Sequence, residues 1–388
     1  MARITGRYEH SRAGGEEVAA FIPRPLPPRE PPLVLDGELA DRLRRAEAAL
    51  GRLDLVSVMV PSVSWFLYSF VRKEAVISSQ IEGTQATLMD LLNFEAAGKD
   101  ESAETPDIRE VCNYLEALAF AQKELQSPKG LPLSIRLLNE THRRLMKGVR
   151  GSMMQPGKVR SSQNWIGGTR PGNAVYVPPP ARAVPELLGR LETYIHGRSD
   201  LPALIRAGLV HAQFETIHPY LDGNGRIGRL LIALCLEHWK LLSSPLLYLS
   251  LFFKQHRAEY YRRLDAVRAG GDFEGWLKFF LEGIAVIADE AVAATRDLFA
   301  LIASDRTKIL GAPSTSVTAA RLFELLPEHP IVSIAGVVRL LDTTKPTAAK
   351  AVDALVQARV LRETTGRRRD RTYGYQAYLD RLRAGTEP

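Results

Sequence analysis

Cysteine is nearly absent from this 388-residue chain: Cys112 and Cys235 are the only two. Both sit in apolar helical patterns, and no CxxC pair exists, so neither a disulfide framework nor a zinc cluster is indicated. Long apolar runs are also missing, and no stretch approaches the roughly 18 residues that a membrane span needs. The N-terminal MARITGRYEHSRAGGEE has no apolar core of the kind a secretory signal carries. A P-loop is absent too, since GSMMQPGKV has Val159 where that motif needs Ser or Thr. There is no internal repeat. These absences exclude membrane spans, secreted disulfide scaffolds, solenoids and P-loop nucleotidases, and they leave a cytoplasmic protein with no membrane partner as the expectation.

What remains is ordinary in bulk. A hydrophobic fraction of 45% and a charged fraction of 24% suit a globular protein with a real core, and the length suggests about two to three domains. The net charge of +7 is a mild excess that suits anionic partners. The proline-rich AFIPRPLPPREPPL (Ala20–Leu33) should run extended over a surface, because its prolines fix φ and remove amide donors. Apolar spacing is helical from Asp36 to about Gly98. It resumes at Pro106, where Thr105 is placed to cap, and recurs in LSIRLLNETHRRLMKG. Residues 156–180, rich in Gly, Pro, Ser and Asn, read as a long loop bearing a small β-hairpin, and loops of this length are usually functional. Helical patterns then continue to about Arg306, a linker is expected at Gly311–Ser316, and a separate C-terminal unit follows. The expected organisation is an N-terminal arm and helical region (1–100), a helical core (101–306) and a C-terminal domain (316–388).

The richest stretch is HPYLDGNGRIGR, His218–Arg229. Asp222, Gly223, Asn224 and Gly225 should form a turn leading into a helix. Glycines there let backbone amides approach an anion, and the helix dipole adds favourable potential. Arg226 and Arg229, three apart, lie on one face and suit further phosphate oxygens. Asp222 offers a hard oxygen to a Mg²⁺ held mainly by phosphates. His218 has the pKa range needed to accept a proton near neutrality. Asp222 and Asn224 are each ordinary turn formers; only the combination points to nucleotidyl transfer. Tyr260 and Tyr261 are candidates to flank a base, although aromatics at helical spacing more often belong to a core.

The same stretch resembles the signature of the Fic family (filamentation induced by cyclic AMP), usually written HxFx[DE]GNGRxGR or HPFxxGNGRxxR, with Tyr220 in place of the usual Phe. The likeness extends over residues 20 to 300, including PGKVRSSQNWIGG and GDFEGWLKFF. It implies a mainly α fold: a helical Fic core with a small β-hairpin flap. It also implies transfer of AMP from ATP, with Mg²⁺, to a hydroxyl side chain (Ser, Thr or Tyr) of a target protein, with self-modification a further outcome. On that resemblance His218 is the base and Asp222 the metal ligand. Gly223, Asn224 and Gly225 line the anion hole, and Arg226 and Arg229 hold the β- and γ-phosphates. Glycine rather than lysine at 225 separates the sequence from the phosphotransferase branch. The flap tip would be Asn164, Trp165, Ile166, Gly167, Gly168 and Thr169, docking a target segment by strand addition.

Upstream, SSQIEG (Ser78–Gly83) resembles the family's inhibitory motif [ST]xxxE[GN], with Ser78 at its start. Carried over, Glu82 pairs with Arg229 and denies it to the γ-phosphate, which makes the enzyme autoinhibited. In some relatives the same glutamate supports removal of AMP, so a de-AMPylating enzyme is an alternative. A homodimer is a further expectation from the family. After Ser316 the chain reads as three helices and a strand pair, a winged-helix pattern of α+β class with Thr347–Gln357 as recognition helix. Arg367, Arg368, Arg369 and Arg371 are placed to reach a phosphate backbone. DNA is therefore a candidate partner, and a DNA-binding regulator with a nucleotide-sensing Fic core is the remaining alternative.

Overall fold

Residues 6–23 form a hairpin that the reading of Ala20–Leu33 as an extended proline-rich stretch does not anticipate. In the computed structural model, which describes residues 3–13, 15–59, 63–98, 104–243, 246–312, 316–366 and 369–388, strands β1 (Gly6–Ala13) and β2 (Glu16–Pro23) pair antiparallel from Gly6↔Pro23 to Ala13↔Glu16. Gly15, at φ +85°, supplies the left-handed backbone of the tight turn. The expected extended arm therefore begins as a strand, and only its prolines leave the ladder.

Helices follow in the order the periodicity predicts. They are α1 (Gly37–Met59), α2 (Val63–Ile81), α3 (Leu88–Ala96), α4 (Pro106–Gln126) and α5 (Ile135–Leu145). After the long loop come α6 (Val184–His196), α7 (Ala203–Ile217), α8 (Asn224–His238), α9 (Ser250–Gln255), α10 (Arg257–Gly270) and α11 (Phe273–Leu310). The C-terminal part holds α12 (Val317–Leu325), β3 (Ile331–Ser333), α13 (Ile334–Leu341), α14 (Lys345–Gln357), β4 (Arg362–Glu363), β5 (Thr372–Gly374) and α15 (Gln376–Leu382). Side-chain caps set several starts. Thr87 and Asp90 close a capping box on α3, the Thr105 hydroxyl accepts from the Ile108 amide at 3.2 Å, and Ser134 caps α5. Among the described residues no helix is long and apolar enough to cross a membrane.

The chain folds as two units, each discontinuous in sequence: residues 1–55 with 113–289, and residues 56–112 with 290–388. In the first, α7 is the central helix, buried at every residue from Leu204 to Ile217. A helix buried along its whole length must be enclosed on all sides, and α7 packs against α6, α8, α10 and β2. Gly208 makes the closest approach possible. A Cβ there would lie 2.8 Å from Leu277, and its carbonyl accepts from Trp276 Nε1 at 2.8 Å.

The second unit builds its core from both of its segments. Leu88 and Leu92 of α3 share a cluster with Leu298 and Ile302 of α11, Phe323, Val337, Leu355 and Leu379. Its sheet runs β3-β5-β4, antiparallel throughout. The expected strand pair is thus joined by a third strand, β3, which pairs Ile331 with Gly374. Helices α13 and α14 are joined through Asp342, which takes a left-handed φ of 48°. Of the four arginines placed in the wing turn, Arg367 and Arg368 lie outside the described residues, as do residues 313–315 of the expected linker.

Candidate active site

Helix α7 ends at Ile217 because Pro219 bars its continuation. His218 turns out of the helix with φ 50° and ψ 63°, its amide donating to Phe214 O at 2.9 Å. The imidazole is half-buried. The turn that follows is shorter than the sequence suggests: Gly223, at φ 76°, is the N-cap, and Asn224 and Gly225 are already the first residues of α8. By helix geometry the amides of Asn224, Gly225 and Arg226 have no intrahelical acceptor, and they carry the positive end of the dipole.

The side chain of Asn224 is taken up by the turn itself. Its Oδ1 accepts from the Tyr220 amide and its Nδ2 donates to the Tyr220 carbonyl, both at 2.8 Å. The side chain thereby closes the turn, and only its backbone is left for an anion. Arg226 and Arg229 are both buried, at 3% and 4% exposure. Arg226 Nη2 approaches Met146 Sδ at 3.7 Å and Asp222 Oδ1 at 3.9 Å. Asp222 itself is 42% exposed at the side chain, and its Oδ1 accepts from the Gly223 amide at 2.6 Å. Gly151 sits against its other oxygen; a Cβ at Gly151 would come within 2.3 Å of Oδ2.

Two buried side chains that the sequence analysis did not single out fix this turn. His142 of α5 accepts the Gly157 amide at Nδ1 (2.9 Å), so the proton must sit on Nε2, which donates to Asp222 O at 3.0 Å. Burial holds its pKa down to about 4. Its ring stacks on Tyr220 at 3.9 Å and 6°, and Tyr220 in turn donates its hydroxyl to Asn139 Oδ1 at 2.9 Å. Arg160 is the second. Its guanidinium donates to the carbonyls of His218 (2.9 Å), Ser162 (3.1 Å) and Pro179 (2.5 Å), and its amide donates to Pro219 O at 2.9 Å. Burial pushes its pKa down to about 10. The only signal in the sequence was a histidine and an arginine beside Gly-rich segments.

The loop between α5 and α6 carries the expected hairpin in minimal form. Ile166 and Tyr176 exchange both backbone hydrogen bonds, at 2.8 and 3.0 Å. Gly167 and Gly168 take φ of 67° and 79°, while Asn173 Oδ1 receives the Thr169 and Arg170 amides. Asn164 Nδ2 reaches the carbonyls of Tyr220 and Leu221, and Trp165 is 38% exposed. The hairpin is held from behind. Tyr176 donates to Thr216 O at 2.7 Å, Phe21 of β2 donates to Val177 O at 3.0 Å, and Glu16 accepts from Arg170 and from the Gly172 amide.

Residues 40–123 match the Fic/DOC family N-terminal region and residues 132–236 match the Fic/DOC family. The chain thus carries a Fic domain over residues 132–236 with a Fic N-terminal region before it. It is 29% identical over 190 residues to the protein adenylyltransferase Fic of Drosophila willistoni, covering 48% of this chain and 35% of that one. It is 25% identical over 171 residues to a probable protein adenylyltransferase of Aquifex aeolicus (strain VF5), covering 43% and 48%. The matches thus span about a third to a half of these relatives. In fold it is similar to a Fic family protein from Desulfovibrio desulfuricans G20 (TM-score 0.58, 21% identity, 89% of this chain and 98% of that one). It is also similar to residues 134–508 of Fic-1 from C. elegans (TM-score 0.52, 22% identity, 66% and 74%).

Within the Fic domain, His142, Arg160, His218, Asp222 and Arg229 all fall inside the matched span. Tyr260 lies outside it and belongs to the core: it is 2% exposed, its hydroxyl meets His211 Nε2 at 2.8 Å, and its ring stacks on Phe253. Tyr261 is 41% exposed. Among the described residues no cluster of three or more His, Cys, Asp or Glu is arranged to hold a metal by itself. A lone exposed carboxylate with one oxygen occupied by an amide fits an ion that takes most of its ligands from phosphate and water. Ser78 and Glu82 lie in the Fic N-terminal region. Ser78 is fully buried in α2. Glu82 follows the helix and is exposed. The helix ends there in a paired C-cap, with the Gly83 amide donating to Gln80 O and the Thr84 amide to Ser79 O. Gly83 takes φ 101°, a left-handed backbone that terminates α2.

Proposed function

We propose that this chain is a protein adenylyltransferase that moves AMP from ATP to a Ser, Thr or Tyr hydroxyl of a target protein. The observation that carries the reading is the turn from His218 to Arg229: an imidazole released from α7, followed within six residues by the amide-rich start of α8. His218 takes the proton of the target hydroxyl. The hydroxyl oxygen then bonds to the α-phosphorus as the bond to the β-phosphate oxygen breaks, and pyrophosphate leaves. The amides of Gly223–Gly225 with Arg226 and Arg229 hold the phosphates. Asp222 is the residue that would hold Mg²⁺, which when bound neutralises phosphate charge. Arg160, His142 and Asn224 keep His218 and Asp222 in place by holding the backbone on either side of them.

The segment Asn164–Thr169 is read as the target-docking edge, supported by its attachment to the turn through Asn164 and by the exposed Trp165 beside it. Glu82 is read as an inhibitory glutamate that competes with the γ-phosphate for Arg229, with Ser78 opening the same motif. One guanidinium cannot serve both anions in one place. The fixed C-cap at Gly83 supports this, because it gives Glu82 a defined position on the chain. The order α12, β3, α13, α14, β4, β5 supports a winged-helix domain over residues 316–388, and with it a second reading in which duplex DNA is a partner.

Label transfer from α-labelled ATP with Mg²⁺ tests the reaction, with self-modification as readout. Glu82→Gly is expected to label strongly and wild type weakly, and adding His218→Ala is expected to remove at least about a hundredfold of the signal. Labelling that survives without His218 would sink the mechanism. Equal labelling of wild type and Glu82→Gly would sink the brake alone.

A further inference from the structure

The unit formed by residues 56–112 and 290–388 contains a cleft of about 1600 Å³. Among the described residues six basic side chains line it: Arg339 of α13, Lys345 at the start of α14, Arg362 of β4, Arg369 and Arg371 before β5, and Arg383 after α15. All six are exposed. Three acids share the lining, and two are locally engaged. Glu363 accepts the Thr365 and Gly366 amides at 2.8 and 2.9 Å, and the Thr365 hydroxyl is first among the bonds that lower its pKa. Asp380 is bonded by Gln376 and paired with Arg383 at 3.2 Å. Among the described residues Arg339, Lys345, Arg362 and Arg369 form no ion pair. Part of the wall comes from far upstream in sequence: Met89 and Asn93 of α3 and its C-cap Ala97, the last two exposed.

The exposed face of α14, where the sequence places recognition, is poorer. Lys350 and Asp353 project from it, and their charges cancel. A row of cations set by several elements grips phosphates, which position a partner without reading its bases. A single-strand site would instead offer a series of aromatic platforms, and among the described residues the cleft lining holds one aromatic, Tyr373, which is half-buried.

We propose that this cleft, and not the outer face of α14, is where the chain grips duplex DNA, holding the sugar–phosphate backbone with little sequence preference. On this inference, which rests on the winged-helix reading above, α3 forms one wall, so the site is shared between the winged helix and the Fic N-terminal region. Lys345 at the first turn of α14 and the arginines of β4 and the wing then address neighbouring phosphates from two sides.

The test is anisotropy of a labelled mixed-sequence duplex of about three helical turns, titrated against full-length protein over a range of salt. Wild type is expected to bind with a log–log salt slope of roughly −3 to −5. Replacing Arg339, Arg362 and Arg369 together by Gln is expected to weaken binding more than about tenfold and to make the slope shallower by about 2 to 3. Asn93→Glu is expected to weaken it as well, by like-charge repulsion from α3, and it stands as the test if the triple variant does not fold. Lys350→Glu is expected to change little, and a second duplex of unrelated sequence should bind equally. Binding that survives the triple variant or Asn93→Glu but is lost in Lys350→Glu overturns the cleft and leaves DNA as partner. No binding by wild type at low salt overturns both. Polyglutamate that displaces duplex equally, charge for charge, would assign the cleft to an acidic protein and overturn the proposal.

Discussion

The side chain of Asn224 serves the turn and leaves only the backbone for a ligand. Both ends of its amide are spent on the Tyr220 backbone, so Asn224→Asp, which keeps the acceptor and loses the donor, should relax the turn. The expected result is label transfer reduced by at least about tenfold, with a loss of only about 1 kcal/mol in urea unfolding; unchanged transfer would refute the positioning role. His142 makes a second prediction. Its pKa is held down by burial to about 4, and that of His211 to about 3. The folded state therefore refuses protons that the unfolded chain accepts. Stability should be full above about pH 6.5 and drain as pH falls toward 4, by roughly 3 kcal/mol for His142 alone. Urea midpoints compared with His142→Phe check it, and an identical pH profile in the two would exclude a buried neutral imidazole. The bases of these assignments were partly legible. His218, Asp222 and the arginines stand in one run whose chemistry is visible without a structure, whereas His142 and Arg160 act through backbone carbonyls and amides distant in sequence, which no spacing rule records.

At the scale of elements, Arg160 is what makes the α5–α6 loop part of the site. Four carbonyls, those of His218, Ser162, Pro179 and, at 3.5 Å, Ile217, converge on its guanidinium, and a planar fork can serve them where an ammonium cannot. Arg160→Met should strand these acceptors, cost about 2–4 kcal/mol in urea unfolding and lower label transfer, while Arg160→Lys should recover only part of either. Full recovery by lysine would show that charge alone suffices. Gly83→Ala tests the end of α2 in the same way. Its φ of 101° is strained for any L side chain, and a loss of about 1–2 kcal/mol is expected, with transfer rising if the cap holds Glu82 in place. Helix order was readable because apolar periodicity and caps such as Thr105 and Ser134 speak locally. The N-terminal hairpin was overlooked beside the prolines, although Gly14-Gly15 between two polar–apolar runs is itself a hairpin signal.

The division of the whole molecule was the least legible feature, since it depends on which distant segments share a core. Leu88 and Leu92 pack in the cluster of α12–α15, and Gln80 Nε2 donates to both Ala86 O (2.9 Å) and Thr386 O (2.8 Å). Ser69 Oγ lies 3.0 Å from the Tyr378 hydroxyl. Removing residues 316–388 should therefore uncover Leu88, Leu92, Leu298 and Ile302, and the shortened chain is expected to bind the hydrophobic dye ANS and to lose cooperative unfolding; a dye-silent, cooperatively folding fragment would contradict the shared core. The same packing bears on how such genes recombine. A crossover that exchanged everything after residue 312 would hand α3 a stranger's surface and replace the segment that carries one of the two carbonyls Gln80 bonds. Descendants that keep a working protein would have to inherit α2 and α3 together with the C-terminal domain, although more than two hundred residues of chain separate them.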